Sequence, residues 1–76
     1  MKQKRFVLKS LKTRLRQRFN VSVSEIGYQN KWQRCLLAVV TVGPKMKVVD
    51  SRIDKVLRMI ENDHRLDVLD YSQEIR

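Results

Sequence analysis

The sequence predicts an α+β fold in which two helices lie on one face of an antiparallel sheet, with the elements in the order α-β-β-α-β. Three observations predict it. Apolar residues recur at helical spacing in two separate stretches, three other stretches carry alternating or continuous apolar runs, and turn residues fall between them. A chain of 76 residues has room for one domain, and it buries only about 60–65% of the surface its unfolded form exposes, so the core is small. At 42% hydrophobic residues the composition still supports a folded core.

The first helix covers residues 2–19. Val7, Leu8, Leu11, Leu15 and Phe19 follow each other at spacings of one, three and four, which places them along one buried stripe. At about 100° per residue, Lys2, Arg5, Lys9, Lys12 and Arg16 make a second stripe, expected on nearly the opposite side. Phe6 falls near that polar side, so it is either exposed or covered by something outside the helix. Asn20 ends the helix.

"VSVSEIGY" then alternates with Val21 and Val23 on one face, until Ile26 and Tyr28 break the phase. The change predicts a strand with a bulge near Glu25. "QNK" is the tip of a hairpin, and "WQRCLLAVVTV" returns as a nearly continuous apolar strand, as a central strand covered on at least one face should. Gly43 and Pro44 stop it.

From Lys45 to about His64 the set Met46, Val49, Ile53, Val56, Leu57 and Ile60 again has helical spacing. Asp54 with Arg58 and Glu61 with Arg65 are i,i+4 pairs in the favourable orientation. "LDVLDYSQEI" reads as a terminal strand, its alternation clearest in Leu69, Tyr71 and Ile75. If one strand preceded the first helix, the order would be the β-α-β-β-α-β of ferredoxin-like sandwiches. Residues 1–76 thus read as a single ferredoxin-like domain, N-terminally incomplete, whose absent first strand would be a central one.

The stretch from "KQKRFVLKSLKTRLRQRFNVSVSEIGYQNKWQRCLLAVVTV" to "DKVLRMIE" resembles the YlxP-like family of small uncharacterised bacterial proteins over almost the whole chain. Its most specific part runs from "RFNVSVSEIG" through "KWQR". The resemblance implies the ferredoxin-like fold, no established activity, and genes that lie among those of translation and ribosome maturation. It also implies an initial strand and loop before the helix, whereas this chain opens at "MKQKR", with Met1 where the family usually has leucine. A truncated start is the expected cause.

Charge is the feature that bears on function. Residues 1–20 hold eight basic side chains and no acid, so almost all of the net +9 belongs to the first segment. One reading is a solvated face that raises solubility. Like charges at i,i+4 cost a few tenths of a kcal/mol per pair, however, and a merely soluble helix usually mixes signs, as the second one does. An anionic partner, RNA or a ribosomal surface, is the simplest reason to retain such a stripe. Lys31, Trp32 and Arg34 form a second candidate contact: the indole could stack on an unpaired base while the cations meet phosphates, or it could close the end of the core. A membrane is not expected, because Leu8, Leu11 and Leu15 are needed inside. The rival function is a homodimeric protein–protein interaction module built on the exposed strand edges of an incomplete sheet.

For catalysis the inventory is thin, and no enzyme is expected. His64 sits near a helix end, where an imidazolium can interact with terminal carbonyls. Asp63, Asp67 and Asp70 read as a solvated loop and strand edge before they read as a metal site, and Asp50 with Asp54 as salt-bridge partners before acid–base catalysts. With two glycines there is no phosphate-binding loop, and no cofactor is expected. The single Cys35, inside an apolar run, behaves as a small hydrophobe and fits a reducing cytoplasm.

Overall fold

The structure is a computed structural model that describes residues 2–28 and 34–75, apart from the side chains of Lys2 and Gln3. Four elements form in the order α1 (Lys2–Arg18), β1 (Ser22–Gly27), β2 (Leu36–Val40) and α2 (Met46–Glu61). The α+β class and the first four elements agree with the sequence reading.

The strands pair antiparallel, with Ser22 opposite Val40, Val23 opposite Val39, Ser24 opposite Ala38 and Glu25 opposite Leu37. The register then slips between Glu25 and Gly27. This is the bulge that the lost alternation foretold, and it turns Ile26 outward while Val23 stays buried. Just beyond it Tyr28 takes a left-handed backbone conformation at φ 59°.

Leu11 and Leu15 of α1, Val23 of β1 and Val56 of α2 form the fully buried centre, and Phe19, Val21, Leu37, Val39, Met59, Ile60 and Leu66 pack around it. Both helices therefore contribute to the core that the inward-facing residues of the two strands line. One chain of hydrogen bonds ties three elements together at one end of this core. Arg52 Nη1 of α2 donates to Thr41 Oγ1 at 2.8 Å and to the Val42 carbonyl at 2.9 Å, and Thr41 Oγ1 donates to the Asn20 carbonyl at 2.7 Å.

Two expectations are corrected. Residues 65–75 form no strand; a strand exists only through a neighbour that takes its backbone hydrogen bonds, and among the described residues the sheet has two strands, β1 and β2. Leu66 packs on the core and Gln73 Nε2 donates to Asp50 Oδ1 at 3.1 Å, so side chains place the segment without a ladder. The second correction concerns Glu61 and Arg65. Helix α2 ends at Glu61, which leaves Arg65 off the helical surface, and its guanidinium closes on Asp63 instead. The other foreseen pair forms, with Arg58 Nη2 3.1 Å from Asp54 Oδ2.

Candidate nucleic-acid interface

The basic side chains of α1 divide into two groups. Lys4 and Arg14 turn into the molecule's own carboxylates. Lys4 Nζ lies 3.3 Å from Glu25 Oε2 and donates to the Tyr28 carbonyl at 2.7 Å, pinning the start of α1 to the bulged end of β1. Arg14 Nη2 lies 2.9 Å from Asp63 Oδ2, joining α1 to the turn that follows α2.

Asp63 is the most enclosed charge of this network, its side chain only 4% exposed. Arg65 approaches the same carboxylate with Nε at 2.9 Å and Nη2 at 2.8 Å, and the Arg65 backbone N–H donates to Oδ1 at 3.0 Å. Those bonds, with the Arg14 guanidinium, outweigh desolvation and hold the Asp63 carboxyl well below the usual carboxylate range. The same contact raises the pKa of Arg65. Sequence reading missed this site, since Arg14 and Asp63 stand 49 residues apart and no local pattern links them. Both Asp63 oxygens face guanidinium groups, and no group of three metal-ligating side chains occurs among the described residues.

The second group is the expected stripe. Arg5 and Lys9 are exposed and Lys12 is half-buried. None of the three makes an ion pair with a described residue. Arg16 is exposed along most of its length, yet its Nη2 donates to the Val23 carbonyl of β1 at 2.8 Å. Lys2 belongs to α1 by backbone. The stripe is not opposite the buried one, as expected, but about a quarter turn from it, because Leu8, Leu11 and Leu15 centre the buried face close to Lys4, bringing Lys12 and Arg16 toward the sheet.

Arg34 is exposed and precedes Cys35, just ahead of β2. Burial, followed by the charge of Glu25, pushes the Cys35 thiol up, which favours the neutral form of a small packed side chain. Lys31 and Trp32 lie outside the described residues. Phe6 is 68% exposed, an aromatic ring beside the cations with no cover. His64 is exposed in the turn after α2.

The sequence profile of a family described as a protein of unknown function, DUF503, matches residues 1–73. The chain belongs to this family. The uncharacterised protein YlxP of Bacillus subtilis (strain 168) is 40% identical over 62 residues, which cover 82% of this chain and 67% of the relative. No solved structure matches. Among the described residues, no helix is long and apolar enough to cross a membrane.

Proposed function

We propose that this protein is a small bacterial cytoplasmic RNA-binding module, not an enzyme, that docks on structured RNA or a ribosomal surface through the basic flank of α1. The observation that carries the reading is the division of charge: Lys4 and Arg14 pair with Glu25 and Asp63, while Arg5, Lys9 and Lys12 have no carboxylate partner among the described residues. Arg16 continues this flank along α1, and Lys2, Lys31, Trp32 and Arg34 are included in the proposed contact from the sequence. Docking of this kind reads charge and shape more than sequence.

If about five phosphates are engaged, the logarithm of the binding constant falls against the logarithm of salt concentration with a slope near −4, and less steeply on single strands. Filter binding of total ribosomal RNA measures it. A flat response between low and moderate salt rejects the proposal. The double change Arg5→Glu and Lys9→Glu is the cleaner mutational test, because neither side chain holds the fold together. It abolishes retention if this flank is the contact.

A second reading, a homodimeric interaction module on a ferredoxin-like body, is supported by the character of β2, which is apolar like a central strand yet has one neighbour among the described residues. The same double change leaves self-association intact under that reading.

A further inference from the structure

We infer that Phe6 stacks on an unpaired base of the RNA, which rests on the RNA reading above and narrows its target to a loop, a bulge or a single-stranded end. The first support is where the ring lies. Phe6 is 68% exposed. At about 100° per residue it stands about half a turn round α1 from the centre of the buried Leu8, Leu11 and Leu15. The sheet lies beneath those leucines, where Leu11 and Leu15 meet Val23, so no strand added to it would reach the far side of the helix. The other phenylalanine, Phe19, packs on the core. Burial therefore accounts for one ring and leaves Phe6 without a structural role.

The second support is what surrounds the ring. Arg5 is its neighbour in sequence and Lys9 follows it by three residues, so Phe6 and two exposed cations share one turn of the helix surface. Neither cation forms an ion pair with a described residue. A single exposed apolar side chain on a helix is ordinary. An exposed aromatic ring bordered by cations that no carboxylate takes up is complementary to a nucleotide, which joins a flat base to an anionic phosphate. Bases inside a duplex are stacked on one another, so only an unstacked base can offer its face to a side chain.

The two parts of the flank then act differently. The cations set the attraction and its salt dependence, and the ring sets a preference for unpaired segments. An acidic protein surface would also meet Arg5 and Lys9, but it would use Phe6 as an apolar contact that leucine can replace. A base uses the face of the aromatic ring, which leucine lacks.

The test is fluorescence anisotropy with two labelled probes, a mixed-sequence RNA strand of about 12 nucleotides and the same strand annealed to its complement. At low salt, Phe6→Ala and Phe6→Leu each weaken single-strand binding by about fivefold or more, as loss of one stacked base should, while Phe6→Trp retains it. The salt slope of single-strand binding and the affinity for the duplex stay those of the native chain, and circular dichroism verifies that the variants keep their helix content. Single-strand binding indifferent to Phe6→Ala overturns the stacking alone, since the cations would still hold both probes. Equal losses on both probes, or full single-strand binding by Phe6→Leu, also overturn the stacking, because the ring would then be a structural or generic apolar contact. A native chain that retains neither probe, or whose binding is indifferent to the Arg5→Glu and Lys9→Glu double change, overturns the RNA reading as well.

Discussion

Asp63 shows how one side chain can organise a small core's boundary. It follows the last turn of α2, where its backbone N–H donates to the Ile60 carbonyl, and its carboxylate draws in Arg14 from α1 and Arg65 from the following turn. Because its folded pKa lies below the unfolded value of about 4, the stability it contributes is fully present above that pH and is lost as the solution is acidified further. The thermal midpoint of the native chain should therefore fall between about pH 5 and pH 2, and Asp63→Asn should flatten that dependence. At neutral pH the same substitution should cost about 1–2 kcal/mol, measured by urea unfolding. The site was not legible in sequence, where Asp63 is one of three aspartates in eight residues and Arg14 one of eight cations in twenty. Only the approach of α1 to the end of α2 selects them.

At the scale of elements, the helices and the hairpin could be read because their signals are local. Leu8, Leu11 and Leu15 are all buried, as their spacing requires, and the phase break at Ile26 marks the bulge. Leu11→Ala should destabilise the fold by about 2–5 kcal/mol, near the cost of a well-packed leucine, since its side chain is fully enclosed. Chemical denaturation checks this, and a loss below about 1 kcal/mol would mean the centre relaxes around the gap. The terminal segment shows where local signals end. Leu69, Tyr71 and Ile75 alternate convincingly, but alternation reports a face to bury, and a strand also needs an edge to bond. Similarly, the basic stripe was recognisable by periodicity, while its angle to the core follows from which residues are buried, Leu8, Leu11 and Leu15.

For the molecule as a whole, the division of labour among cations matters more than their number. Net charge was legible from composition, and so was its confinement to the first twenty residues. Which of those charges the fold neutralises was not, because Glu25 and Asp63 reach α1 only through the tertiary arrangement. The same holds for the sheet: the apolar run of β2 announced a central strand, and among the described residues it has one neighbour.

The opening turn of α1 contains no acid and begins with Lys2, Lys4 and Arg5. Arg5 there opposes the partial positive charge of the helix macrodipole, while Lys4 is held by Glu25, so the turn is destabilised most when few counterions are present. Ionic strength should consequently act with opposite signs on two observables. Raising salt from low to moderate concentration should increase the thermal midpoint followed by helix ellipticity while, under the proposed function, it weakens binding to RNA. Under that proposal, added RNA should raise the thermal midpoint at low salt, and the gain should shrink as counterions take over the same task.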